Sequence, residues 1–372
     1  MELLNRVQAF RQELHQNPEP SMKEVETRGR IKRFLEENTK ELKIVEKDRC
    51  LYAYHDEGAD ETYLFRADFD AILNEDGSSF HGCGHDGHTA ILAGLAAELD
   101  GEKLGRNIVF LFQHAEETGE GAIETVGIFD ELSIDKSFAL HGFSGFKTGT
   151  FQMRKGTMFC ASTGMKIRFK GKQSHASQPE LGINPAYPMA ELALLLEPLS
   201  EFNGFESMNW NGGEFKNLIM ATIVYERLGE IAFGVSPSTA EMGLTLRAYH
   251  EDEIDQLISM IEEAAKTFAE KRGVEVSFDY LERFPETSND GALVDQVQAL
   301  MDACDIDYQW MQEPLRGSED FGHIAKYAPA CYVLLGLGED HPAIHSPSFE
   351  FSDEALEYGL NLFTCIARRG VK

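Results

Sequence analysis

The segment His81-Gly82-Cys83-Gly84-His85-Asp86-Gly87-His88 gathers a thiol, imidazoles and a carboxylate among glycines. Thiolate and neutral imidazole are ligands for zinc and its borderline-soft neighbours. Glycine lacks a Cβ, so a backbone rich in it folds tightly enough for side chains two apart, such as Cys83 and His85, to converge. One loop does not complete a metal site, and further ligand types stand at Asp68, Asp70, Glu116, Glu117, His141, His341 and His345. In the adjacent pair Glu116-Glu117 one carboxylate can face a metal and the other a water, and spacing leaves open which does which. The chemistry such a set would perform is hydrolysis. A divalent cation acidifies water and polarises a carbonyl, while a carboxylate takes the proton and returns it to the leaving amine.

These residues need elements to bring them together. Short apolar runs at 62–67, 108–113, 137–140 and 331–335 read as buried strands, separated by helical stretches such as 89–99. The candidates follow those runs: Asp68 and Asp70 the first, Glu116 and Glu117 the second, His141 the third, His341 and His345 the fourth. Ligands gather at the carboxyl ends of strands in open α/β sheets, so four strands delivering ligands at one end define one crevice. Leu3, Val7, Phe10 and Leu14 share one face of a helix, and a second helix is expected over 23–37. From about Met165 the pattern changes to strands at 165–170, 218–225 and 241–249 and helices at 185–199 and 253–271. Residues 285–291, Pro-Glu-Thr-Ser-Asn-Asp-Gly, read as a connector. The expected fold is therefore α/β. A mixed sheet flanked by helices is formed by 1–163 and 286–372, and an α+β domain is inserted over 164–285.

A chain of 372 residues exceeds the usual size of one core, which agrees with two domains. Acidic residues number 63 against 34 basic ones, a formal charge of -29 that repels phosphate backbones and anionic membrane surfaces. Nucleic acid and membrane are therefore not expected as partners. The amino terminus has no basic segment followed by an apolar stretch, and no later run is long enough to span a bilayer, so a cytoplasmic location is expected. Six cysteines without paired spacing do not suggest a disulfide scaffold, and all but Cys83 are expected to be plain core thiols.

Taken in order, the segments Leu14-His-Gln-Asn-Pro-Glu19, Arg66-Ala-Asp-Phe-Asp-Ala71, 81–88, Gln113-His-Ala-Glu-Glu117, 171–179, Gly317-Ser-Glu-Asp-Phe321 and His345-Ser-Pro347 cover nearly the whole chain. They resemble the amidohydrolase branch of the aminoacylase and carboxypeptidase-G-like zinc peptidase superfamily, which includes hippurate hydrolases and indole-acetyl-amino-acid hydrolases. The resemblance implies two divalent metal ions, zinc first, with manganese, nickel or cobalt admitted by the same ligands. It implies Cys83 in the bridging position, His85, Glu117, His141 and His345 as further ligands, and Glu116 as general base. Asp68, Asp70 and His88 would support those ligands from behind.

The inserted segment is similar to the family's lid, which also dimerises, so a homodimer is implied. His175 matches a lid histidine that steadies an oxyanion in a partner's site, and Arg247 one that binds a substrate carboxylate. The implied substrate is an N-acyl amino acid. A dipeptide or small amidated metabolite is the close alternative, and a catalytically silent metal-binding protein of the same fold the distant one. Two departures stand out: Gly234-Val-Ser-Pro237 has glycine where the family carries asparagine, and Ala71-Ile-Leu-Asn74 lacks the prolines that follow the family's aspartate pair. Both bear on the substrate, so the substrate class is not carried over from relatives.

Overall fold

A computed structural model describes residues 2–74 and 76–371. The chain divides into two units, one of 1–158, 287–314 and 319–372, the other of 159–286 and 315–318. The first is built on an eight-stranded sheet in the order Lys43–Lys47, Cys50–His55, Asn107–Gln113, Thr62–Asp68, Lys136–Phe143, Ala330–Gly336, Phe151–Met153 and Tyr308–Trp310. Asn107–Gln113, Thr62–Asp68, Lys136–Phe143 and Ala330–Gly336 run parallel. Cys50–His55 on one side runs antiparallel to Asn107–Gln113 and Phe151–Met153 on the other runs antiparallel to Ala330–Gly336, so the sheet is mixed. Thr62–Asp68, Asn107–Gln113 and Ala330–Gly336 are buried at every residue. That is why they read as largely apolar runs, Arg66 excepted, rather than alternating ones.

The helix His85–Leu99 is buried along nearly its whole length and packs against the helices Glu2–His15 and Ala355–Arg369. It begins at His85 and not near Thr89 as expected, because the glycine loop turns directly into its first residue. Gly84 has φ +88°, a left-handed value that favours glycine, and a Cβ on Gly87 would come within 2.4 Å of three atoms of the Phe351 ring. The loop's glycines thus serve both the turn and the close packing behind it.

The second unit is a four-stranded antiparallel sheet in the order Ile219–Leu228, Thr239–Ala248, Ala161–Lys170 and Glu275–Phe284. The helices Ala186–Leu196 and Glu251–Glu270 pack on it around a separate apolar core. Several sequence expectations need adjusting. The expected helix 185–199 ends at Leu196 and tightens into a 3₁₀ turn at Glu197–Leu199, where Pro198 breaks the α pattern. The expected connector 285–291 contains the short strand Thr287–Asn289. Cys304 and Cys365 are joined as a disulfide, contrary to the expectation of plain thiols. Cys50, Cys83, Cys160 and Cys331 are buried and free. Among the described residues no helix is long and apolar enough to cross a membrane.

Candidate active site

Cys83 lies in the loop before His85–Leu99, and its sulfur faces two imidazoles. His141 Nε2 stands 3.4 Å away and His345 Nε2 3.3 Å. His141 lies within the strand Lys136–Phe143 rather than beyond its end, because pairing with Ala330–Gly336 carries that strand on to Phe143. Its Nδ1–H donates to the Gly142 carbonyl at 2.7 Å, which turns Nε2 toward Cys83. Glu117 Oε1 stands 3.6 Å from His345 Nε2 and 3.8 Å from His85 Nε2. Cys83 therefore belongs to two triads of potential ligands, Cys83-His85-His141 and Cys83-Glu117-His345. His341 stays apart, with Nδ1 3.3 Å from the Ser144 hydroxyl.

The residues behind these donors fix their orientation. Asp70 Oδ1 accepts from His85 Nδ1 at 3.0 Å, which leaves His85 Nε2 pointing into the cluster. Its other oxygen accepts from Ser21 Oγ at 2.7 Å and from the Glu117 backbone N–H at 3.1 Å. Asp68 accepts from His88 Nδ1 at 2.7 Å, and His88 Nε2 accepts from the Gly142 N–H at 2.9 Å. With both nitrogens engaged, His88 has none to offer a metal. Burial opposes the positive charge of His85, yet Asp68 and Asp70 outweigh it and raise its pKa to about 10. Burial, then His88, holds His141 well below the usual histidine range.

Glu116 is buried, with Oε1 3.4 Å from the Asp320 N–H and Oε2 3.9 Å from His85 Nε2. Burial first, then Glu319 and Glu117, push its pKa well above the usual carboxylate range. The residue before it, Ala115, has φ +49°, an uncommon value for a residue with a Cβ. The buried carboxylate of Glu24 accepts from the Ala115 N–H at 2.8 Å and anchors the turn that aims Glu116 and Glu117 apart.

Sequence reasoning gave no role to Arg66, Glu319 or Asp320, although it singled out the segments that contain them. Arg66 is 1% exposed and donates to Asp68 at 2.6 Å, Asp320 at 2.7 Å and Gln113 at 2.9 Å, with Glu319 3.1 Å away. It joins two strands to the 319–320 turn that lies against Glu116. The available signal was a charged residue inside an otherwise apolar buried run, which is rare unless paired. The inserted unit holds the remaining two candidates. His175 is exposed, with Nδ1 2.7 Å from Ser177 Oγ. Arg247 is half-buried and donates to the Arg316 carbonyl at 2.7 Å and to Ser318 Oγ at 3.1 Å.

The model of peptidase family M20/M25/M40 matches residues 60–369. The chain belongs to this family. It is 28% identical over 383 aligned positions to IAA-amino acid hydrolase ILR1-like 4 of Arabidopsis thaliana, covering 97% of this chain and 84% of the relative. It is 26% identical to the N-acetylcysteine deacetylase of Bacillus subtilis, covering 96% and 95% of the two chains. Among solved structures, a putative aminohydrolase from methicillin-resistant Staphylococcus aureus superposes with a TM-score of 0.82 at 25% identity, over 100% and 98% of the chains. A Bacillus subtilis protein described as a dinuclear metal-binding peptidase of this family superposes with a TM-score of 0.80 at 24% identity, over 100% and 99%. Family membership and these named hydrolases make the chain a hydrolase acting on amide or peptide bonds.

Proposed function

We propose that this chain is a two-metal amidohydrolase that cleaves the amide bond of an N-acyl amino acid. The observation that carries the reading is Cys83, shared by two ligand triads whose His85 Nε2 and Glu117 Oε1 are buried without a hydrogen-bond partner. An unsatisfied buried polar atom costs free energy, and cations among these donors remove that cost. Asp68, Asp70, Glu116 and Glu117 crowd the same region, a negative charge that cations offset. Sulfur and imidazole donors suit zinc, and the carboxylate share also admits manganese, nickel or cobalt. Cys83 would bridge, with His85, Glu117, His141 and His345 completing the set. The Bacillus subtilis protein described as dinuclear has the same fold, which supports two ions.

Bound there, divalent ions supply Lewis acidity toward a water and an amide carbonyl. Glu116 takes the proton of that water at Oε2, the oxygen nearer His85, and returns it to the leaving amine. A carboxyl that burial and neighbouring acids have moved above the usual range is well matched to holding a proton between those two events. Asp70 keeps His85 in its ligating tautomer, and Asp68 holds His88 in the tautomer whose Nε2 accepts from the Gly142 N–H.

In the inserted unit, Arg247 anchors the substrate carboxylate and His175 steadies the oxyanion in a partner's site. Ile231 and Phe233 are 96% and 97% exposed, and Val235, two residues on, bridges to His175. Apolar side chains so placed support a homodimer made through this unit. Relatives named for an amino acid conjugate and for N-acetylcysteine support the N-acyl amino acid class.

The test is amine release from N-acetyl, N-benzoyl and N-succinyl amino acids and from dipeptides, by protein of measured metal content, beside Glu116→Gln. Release from acylated amino acids that disappears in the variant supports the reading. Release from dipeptides alone replaces it with a peptidase, and no release by metal-loaded protein with reduced Cys83 sinks it.

A further inference from the structure

Three guanidinium groups of the inserted unit have no carboxylate at ion-pair distance among the described residues: Arg227, which lies over the Tyr225 ring, and the neighbours Arg247 and Arg316. In a chain with 63 acidic residues against 34 basic ones, arginines readily find carboxylates. Arg168 lies against Glu241 and Asp279, Arg272 against Glu191, and Arg283 against Glu251 and Asp255. Arg247 and Arg316 differ. Arg247 donates to the Arg316 carbonyl and to Ser318, and the Arg316 guanidinium lies 4.2 Å over the Phe202 ring. Among the described residues neither has a carboxylate at ion-pair distance.

The pair is held in place rather than left to drift. Leu315–Ser318 packs with the inserted unit, pairing with Phe159, while the Cys160 N–H donates to the Leu315 carbonyl at 3.0 Å. Phe202 under Arg316 meets Phe205 edge to face at 5.2 Å, and Phe205 in turn meets Tyr249 at 6.3 Å. A guanidinium stacked on a ring keeps its in-plane donors free for a carboxylate and loses little freedom on binding one. Burial, then the charge of Arg316, holds Arg247 below the usual arginine range, so an anion beside both relieves a standing repulsion. Arg316 also stands four residues before Asp320, which touches Glu116, and covalent reach alone keeps those two Cα atoms within about 14 Å.

We infer that Arg316 is a specificity residue that selects N-acyl derivatives of acidic amino acids, taking the side-chain carboxylate while Arg247 takes the α-carboxylate. This rests on the reading of the chain as an N-acyl amino acid hydrolase with Arg247 as carboxylate anchor. Neutral amino acids would leave Arg316 solvated and gain nothing from it.

Binding and turnover separate the two readings. Metal-reconstituted Glu116→Gln protein is titrated calorimetrically with N-acetyl-glutamate and with its neutral isostere N-acetyl-glutamine. The acidic probe is expected to bind about tenfold or more tightly, with the ratio shrinking as salt rises. Adding Arg316→Met, which keeps an apolar contact with Phe202, should bring the ratio close to one, and Arg316→Lys should restore part of it. Equal binding of the probes, no binding of either, or a preference that survives Arg316→Met overturns the inference. Binding of N-acetyl-glutamate through Arg316 without amine release by the unmutated enzyme upholds it while refuting the hydrolase reading. Amine release without an acidic preference refutes this inference alone.

Discussion

Arg66 and Arg168 place the same chemistry in the two units. Each sits in an inner strand of its sheet and each meets more than one carboxylate. Arg66 is bound by Asp68, Glu319 and Asp320, and Arg168 by Glu241 at 2.9 Å and by Asp279. Their exposure is 1% and 46%. Burial works against the Arg66 charge, and the surrounding acids outweigh it, so the group and its acids each depend on the other being present. Water shares in stabilising Arg168 and its partners, and the ion pairs there add little. The proposed functional side chains divide in a similar way, His345 excepted: Glu116, His85 and His141 are buried, whereas His345, His175 and Arg316 are exposed. Where the site is buried, a change to any member should disturb both fold and chemistry. Where it is exposed, binding should change and the fold should not.

The largest effect is expected at Cys83. Because it belongs to both triads, Cys83→Ala should weaken metal binding at both positions by more than about 100-fold, beyond the loss typical of a supporting residue. Metal content by elemental analysis checks this, and retention of two ions per chain would remove Cys83 from the bridge. His345→Ala, touching one triad only, should spare one ion. Next in size is Arg66→Met, which leaves Asp68 and Asp320 buried without their counter-charge and should cost about 3–5 kcal/mol in chemical denaturation. Adding Asp320→Asn should recover part of that loss. Additive losses in the double variant would mean that the pair is not coupled.

Much of this contrast could be read from residue order. Largely apolar runs with Asp68, Glu116 or His141 at or just past their ends announce buried parallel strands with ligands near their carboxyl ends, since burial on both faces removes the alternation that would mark an exposed strand. The start of the helix at His85 was not legible, because glycine is a poor helix former and the close approach of Phe351 to Gly87 is a long-range fact. Arg66, Glu319 and Asp320 stood in segments already singled out, but their mutual contacts cross more than 250 positions and have no local signature. The Cys304–Cys365 pair, 61 residues apart, escaped for the same reason. Arg316 was missed because an exposed arginine in an acidic chain looks ordinary until its lack of a partner is seen.

A smaller, pH-dependent effect belongs to His81. It is buried, both ring nitrogens lack a hydrogen-bond partner, and burial, helped by the charges of His85 and His15, holds its pKa down to about 4 against Asp86 and Asp70. The unfolded chain, with a histidine near 6.5, binds more protons between those values, so stability rises with pH through that window and is lost as pH falls. Between pH 7 and pH 5 this residue should cost the metal-free protein about 2 kcal/mol. His81→Met, of similar size and unable to take up a proton, should flatten that component of the denaturation profile. An unchanged slope would place the proton uptake in the other buried histidines held below their usual range, His141 and His114.

The smallest effect is expected at Arg168, and it is the sharpest control on the comparison with Arg66. Arg168→Ala removes contacts to two carboxylates, as Arg66→Met removes three, yet Glu241 keeps a hydrogen bond from Tyr225 Oη at 2.8 Å and both acids are reached by water. The melting temperature should stay within experimental scatter of the parent, and turnover should not change. A loss comparable to that of Arg66→Met would show that this face is covered in the working protein. It would then point to the inserted unit's sheet, rather than its apolar loop at Ile231 and Phe233, as the surface that a second copy buries.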